Sequence, residues 1–176
     1  MEKTIYVDVD LCSGCGACVV ACMDQNDVYP ERGQPPLRRV YRVEEGEDQN
    51  ATILYVSTAC MHCEDSPCVM GCPTGAIIKE SESGTVLVNS DLCIGCHSCA
   101  LACPFGVPRF DPEDKMQKCR LCVERIKAGL EPACVRVCTT RALRFKHLNE
   151  LLGEKEAKLV GNVISSAKRY RSGYRS

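Results

Sequence analysis

The chain contains no tryptophan, three phenylalanines and six tyrosines in 176 residues. Large aromatic side chains carry much of the burial in an ordinary core. A molecule of 19.3 kDa this poor in them must be held together by something else as well. Long apolar runs are missing too: none approaches the roughly 18 residues that suggest a membrane span, and no direct membrane insertion is expected. The opening Met1-Glu2-Lys3-Thr4, followed by the acidic Asp8 and Asp10, lacks the basic n-region, apolar h-region and cleavage site of a secretory signal. A cytoplasmic location is therefore expected, with export only as a folded complex alongside a signal-bearing partner. Neither charge is in excess, since 22 Lys and Arg stand against 23 Asp and Glu; this balance speaks against nucleic acid as a partner. There is no phosphate-binding P-loop, no GxGxxG dinucleotide turn and no zinc-hydrolase motif. With no nucleophile–base pair either, no catalytic residues are expected, and the chain is not expected to be catalytic alone.

What the chain does have is cysteine, sixteen residues of it. A disulfide scaffold and metal sites are the two chemistries that absorb so much, and an intracellular setting disfavours the first. The cysteines fall into four quartets with none left over. Cys12, Cys15, Cys18 and Cys22 follow C-x2-C-x2-C-x3-C, and Cys93, Cys96, Cys99 and Cys103 repeat that spacing with Pro104 after it. This run is the bacterial ferredoxin signature for [4Fe–4S] clusters. Cys60, Cys63, Cys68 and Cys72, followed by Pro73, and then Cys119, Cys122, Cys134 and Cys138, are variants with a longer loop before the third ligand. Zinc is the rival for paired CxxC motifs, but three ligands as close as CxxCxxC suit three irons on one face of a cubane. Sixteen thiolates around four oxidised cores would take the formal net charge from −1 to about −9.

The quartets are internally repeated. VDVDLCSGCGACVVAC, residues 7–22, aligns without a gap on VNSDLCIGCHSCALAC, residues 88–103, and PCVMGCPTGAI, residues 67–77, aligns on ACVRVCTTRAL, residues 133–143. The order is A-B-A-B. Between Cys72 and Cys93, Ala76-Ile77-Ile78 reads as a strand, Glu80–Gly84 as a polar turn and Thr85–Val88 as the return strand. Such a hairpin joins the halves of a two-cluster ferredoxin, so the second and third quartets form one inner module. In these modules the fourth cysteine of a run binds the other cluster. Cys60, Cys63, Cys68 and Cys103 are therefore expected to hold one [4Fe–4S] cluster, and Cys93, Cys96, Cys99 and Cys72 the next. The outer quartets then pair around them: Cys12, Cys15, Cys18 and Cys138 for a third cluster, Cys119, Cys122, Cys134 and Cys22 for a fourth. Sequential pairing, first quartet with second and third with fourth, is the alternative. It is disfavoured because the stretch from Asp24 to Ala59 lacks a short hairpin pattern.

The expected fold class is α+β, with two bacterial-type two-cluster ferredoxin-like modules, the outer interrupted by the inner. The outer spans 1–50 and 109–146, the inner 51–108, and 147–176 forms a C-terminal helix and basic tail. Residues 24–50, with Pro30, Pro35 and Pro36, read as surface loop, and Thr52–Ser57 as a strand feeding the second quartet. Residues 104–116, with three prolines, read as extended or turning. In the eleven-residue insertion between Cys122 and Cys134, Val123–Ala128 suits a short helix capped by Gly129, with Pro132 opening a new turn; it is a natural place for partner contact. Leu148, Leu151 and Leu152 form an apolar stripe, and Lys168-Arg169-Tyr170-Arg171 is basic. Small residues beside the ligands (Ser13, Gly14, Gly16, Ala17, Gly95, Ser98) let backbone N–H groups approach sulfur. His62, His97, Lys118 and Arg120 lie close enough in sequence to tune a cluster's potential.

Over residues 3–146, the pieces CSGCGACVVAC, CMHCEDSPCVMGCPTGA, CIGCHSCALACPFG and KCRLCVERIKAGLEPACVRVC resemble the iron–sulfur subunits of the dimethyl sulfoxide reductase family, with relatives in formate dehydrogenase and polysulfide reductase. The resemblance implies four [4Fe–4S] clusters, since every ligand position of the family is cysteine here. It implies the same ligand sharing, and a role as the electron-transfer subunit of an oxidoreductase complex. The partner implied is a large catalytic subunit carrying a molybdenum- or tungsten-pterin cofactor, with a further redox subunit or a membrane-bound electron donor. Similar small subunits serve hydrogenases and carbon monoxide dehydrogenases; a structural metal-binding interaction module is the reading from another class. Three positions depart from the pattern: Met23 and Thr139 replace a proline after the last cysteine, and Arg141 replaces the glycine seen at Gly75, which puts that turn in question.

Overall fold

The computed structural model describes residues 3–46 and 50–173, with the burial of side chains followed as far as Ile164. In chain order the strands are β1 (Lys3–Val7), β2 (Arg39–Glu45), β3 (Thr52–Thr58), β4 (Ile77–Lys79), β5 (Val86–Val88), β6 (Arg109–Phe110), β7 (Met116–Gln117) and β8 (Leu143–His147). The helices are α1 (Ala17–Gln25), α2 (Pro67–Met70), α3 (Ser98–Ala102), α4 (Val123–Lys127), α5 (Ala133–Arg136) and α6 (Leu148–Gly173). Every strand pairs with one partner only, always antiparallel: β1 with β8, β2 with β3, β4 with β5 and β6 with β7.

Two small cores organise the molecule. The first gathers Cys18, Cys134, Val135 and Leu143, with Ile5, Val7, Val40 and Phe145 against them. It joins the two ends of the chain, since β1 pairs with β8 in a register running from Lys3↔His147 to Val7↔Leu143. The second gathers Ile77, Val86, Cys99 and Met116, with Val69, Val88 and Phe110. It lies under the β4–β5 hairpin, whose register Ile77↔Val88 confirms the strand–turn–strand read between Cys72 and Cys93. Cysteines sit inside both cores, so the same few side chains supply packing and sulfur.

The sequence repeats recur as local structure. Asp8 and Asn89, 81 positions apart, each accept a hydrogen bond from the N–H two residues on (3.2 and 3.0 Å) and open a 3-10 turn, Val9–Leu11 or Ser90–Leu92. Each turn delivers the first cysteine of a run, and the third then lies on α1 or α3. The other repeat places Cys68 on α2 and Cys134 on α5. In this repeat Gly75 has φ +66° and Arg141 has φ +58°. The turn that the Arg141 substitution put in question is therefore kept, with a side chain held in the left-handed region.

Three expectations are corrected. Residues 24–50 are not all loop: β2 forms half of a hairpin with β3, in register from Arg39↔Thr58 to Glu45↔Thr52. Its residues from Tyr41 onward are exposed, so no apolar face announced it. Strand β3 covers the expected Thr52–Ser57 and leads into Cys60, and the hairpin also borders the first quartet, since Val40 packs against the core that holds Cys18 and a side chain at Gly14 would collide with the Tyr55 ring. The stretch 104–116 closes into a hairpin, β6–β7. Asp111 ties its turn by accepting from the N–H groups of Glu113 (3.0 Å) and Lys115 (2.9 Å) and from Gln117 Nε2 (2.9 Å). Finally, α6 runs on through Gly173. It is pinned to β8 by Glu154, which pairs with Arg144 at 2.9 Å and with Lys146, and by the buried Leu151. The side chains of Lys168–Arg171 lie outside the described residues. Among the described residues no helix is long and apolar enough to cross a membrane.

Candidate metal centres

All sixteen cysteines are free thiols. Cys12, Cys15, Cys18 and Cys138 line one pocket, along with Ser57 and Thr140. Cys72, Cys93, Cys96 and Cys99 line a second, with His97, Phe110 and Met116. Among the described residues no three His, Cys, Asp or Glu side chains converge as a single ion requires. In these two sets the thiols stand around a space, as the corners of a cubane demand.

Electrostatic neighbours define the other two sets. Cys60 feels Cys63 and Cys103, and Cys68 feels Cys60 and Cys103. Cys22 feels Cys119, Cys134 and Cys122. The last cysteine of the first quartet, Cys22, thus lies in the field of three cysteines of the fourth quartet. Cys134 lies in the field of Cys18 and Cys119 in that of Cys60, and α2, which carries Cys68, packs on α3, which carries Cys99. Cys15 and Cys96 are the exposed ones.

Burial governs the thiols' acidity. It pushes Cys22 up to about 12, helped by Cys119 and Cys134 and opposed by Arg38. It pushes Cys119 up to about 11 against the Leu121 N–H and Arg38, and Cys99 to about 11. These thiols hold their protons at neutral pH until a metal displaces them. Cys72 and Cys138 go the other way. Partial burial raises each, but hydrogen bonds outweigh it: from Thr74 and the Ile77 N–H onto Cys72, and from the Leu143 N–H (3.4 Å) and Thr140 (3.8 Å) onto Cys138. The two cradles are copies, 66 residues apart, shaped by the left-handed Gly75 and Arg141.

Further donors surround the sulfurs. The residue before the second cysteine of each quartet (Gly14, His62, Gly95 and Leu121) has φ between +48° and +72°. This turn aims the His62 N–H at Cys60 (3.4 Å) and the Leu121 N–H at Cys119 (3.3 Å). The Met116 N–H reaches Cys93 at 3.5 Å. Buried His62 accepts the Val86 N–H on Nδ1 at 3.0 Å, and burial, with Lys118 and Lys79, drives its pKa down to about 3; it is a neutral imidazole that leaves Nε2 without a protein partner. His97 stacks on Phe110 at 3.7 Å. Arg120 is exposed, whereas Lys118 is buried.

Arg38 was not legible as part of the site. It is 3% exposed, donates to Ser57 Oγ at 2.9 Å and reaches Cys134, while Ser57 in turn touches Cys18 at 3.4 Å. Its Nε has no protein partner. Spare buried N–H donors beside thiols are what sulfide-rich groups accept, so the residues present fit iron–sulfur clusters. In the eleven-residue insertion Arg125 donates to Gln25 Oε1 at 3.1 Å and to the Glu131 carbonyl at 2.8 Å, and residues 127–131 are exposed.

A chain of cysteine quartets on paired ferredoxin-like repeats defines an iron–sulfur electron carrier. Residues 51–148 and 11–76 match families described as 4Fe-4S dicluster domains. The chain is 39% identical over 155 residues to a component of the anaerobic dimethyl sulfoxide reductase of Escherichia coli, covering 83% of this chain and 74% of that one. It is 39% identical to the iron–sulfur subunit of the nitrate-inducible formate dehydrogenase of the same organism, covering 90% and 60%. It is 35% identical to a component of the sulfite dehydrogenase of Allochromatium vinosum, covering 98% and 76%. The chain belongs to this family of 4Fe-4S dicluster electron-transfer subunits, of the dimethyl sulfoxide reductase type.

Proposed function

We propose that the chain carries four [4Fe–4S] clusters in a line and relays single electrons to or from a large molybdenum- or tungsten-pterin catalytic subunit. The ligands are, in order along the line, Cys12, Cys15, Cys18 and Cys138; Cys22, Cys119, Cys122 and Cys134; Cys60, Cys63, Cys68 and Cys103; and Cys72, Cys93, Cys96 and Cys99. The first two sites belong to an outer module of residues 1–50 and 109–146 and the last two to an inner module of 51–108. The β2–β3 hairpin crosses that boundary, and Phe110 and Met116 of the outer span pack in the core under the β4–β5 hairpin. The complex works inside the cell, or is exported already folded.

One observation supports this reading: Cys134 lies in the field of Cys18, Cys119 lies in that of Cys60, and Cys15 and Cys96 are exposed. Each four-thiolate cluster, when bound, takes up and returns one electron and offers no open iron to a substrate. The chain's own groups do the rest. N–H and hydroxyl donors from Leu121, Leu143, Thr74 and Thr140 stabilise negative charge on sulfur, and burial of the central thiols keeps water away from them. The names of the relatives, components of a reductase and of dehydrogenases, support a catalytic partner. Anaerobic purification of the native complex tests this: a much larger chain bearing a Mo- or W-pterin should co-purify. A fully active single chain without one, or nickel in place of Mo and W, contradicts it.

A further inference from the structure

The junction between the outer and inner halves holds a single buried cation. Lys118 is 3% exposed. Its Nζ donates to the Val86 carbonyl, on β5 of the inner half, and to the Cys119 carbonyl, in the outer half, at 3.0 Å. It also hydrogen-bonds Cys60 and lies in the field of Cys68 and Cys119. No carboxylate pairs with Lys118 among the described residues. A desolvated ammonium needs compensating negative charge close by. Two carbonyls supply only partial charge; iron-bound thiolates supply the rest. Arg38, the other buried cation of the described residues, faces Cys22, Cys119 and Cys134.

We propose that Lys118 is a positioning residue for electron transfer between the two modules: a fixed positive charge shared by the Cys22–Cys119–Cys122–Cys134 site and the Cys60–Cys63–Cys68–Cys103 site. This rests on the four-cluster reading. A cation beside one site alone would deepen that site and trap the electron there. A cation between two raises both potentials together and leaves the step between them nearly level. In that step one site loses one electron and its neighbour gains it. No bond forms or breaks, no proton moves, and the net charge around the ammonium is unchanged.

The test is an EPR-monitored redox titration of the intact, cluster-loaded protein with Lys118→Met. Two of the four potentials should fall and two should hold, at unchanged iron content, and Lys118→Arg should restore the pair. Arg38→Gln should lower the site that both cations face and leave the Cys60 site in place. If all four potentials hold, or only one moves, the sharing is overturned. If the Met variant does not load its clusters, pulsed EPR on the native protein with isotopically labelled lysine nitrogen decides. Coupling of one lysine nitrogen to two reduced centres supports the proposal, and coupling to one or none overturns it. Fewer than four centres in the unsubstituted protein would instead defeat the four-cluster reading, so the two failures are told apart.

Discussion

At Arg141 a charged side chain occupies a backbone conformation that its repeat partner fills with glycine, φ +58° against +66°. A left-handed residue with a Cβ costs roughly 1–2 kcal/mol, and glycine gives back part of that through the flexibility of the unfolded chain. Arg141→Gly should therefore raise stability by about 0.5–1 kcal/mol, read as denaturation of the loaded protein at higher urea; an unchanged or lower midpoint contradicts the account of this turn. The exchange of cysteines makes a second residue-level prediction. Cys103→Ser should damage the cluster held by Cys60, Cys63 and Cys68 and spare the one next to it in sequence, with EPR identifying the lost centre. Loss confined to the Cys93–Cys99 site would refute the exchange. The cysteine quartets are legible because their spacing is a local matter. Arg38 was missed and the burial of His62 was not visible, because burial among distant segments leaves no local trace in sequence.

At the scale of elements, those with a repeat or a β-branched run behind them were legible: the β4–β5 hairpin and α4, ending before a left-handed Gly129 at φ +74°. Strand β2 was missed because its residues from Tyr41 onward are exposed, and the start of α6, with its leucine stripe, was legible while its extent was not, since Leu152, Leu159 and Val163 are exposed. The β6–β7 turn depends on Asp111. Partial burial would raise its pKa, but hydrogen bonds from the Lys115 N–H, the Gln117 amide and the Glu113 N–H lower it overall. A carboxylate depressed in the folded state contributes stability that is complete above its unfolded pKa of about 3.9 and is lost as pH falls through the folded value. Asp111→Ala should cost about 1–2 kcal/mol at neutral pH and speed amide exchange across residues 109–117. The difference from the unsubstituted protein should vanish in acid below pH ~3; a difference that persists there would mean the carboxylate charge is not what holds the turn.

Across the whole molecule, neither core stands without sulfur, since Cys18, Cys134 and Cys99 are themselves core residues. Strand β1 pairs with β8, more than 130 residues away, and Cys12 lines one pocket with Cys138, 126 positions on. Ligand binding of this kind is folding free energy, which explains how so few aromatics suffice. Removing iron anaerobically with a chelator should therefore loosen both halves together, seen as broad loss of amide protection rather than fraying of one end. The most direct test of the central claim is metal and sulfide analysis of the anaerobically purified chain, with EPR after dithionite reduction. The account predicts about sixteen irons and sixteen sulfides per chain, reducible as four one-electron centres. Zinc at about four per chain with no sulfide, or iron well below that count with no signal on reduction, would contradict it.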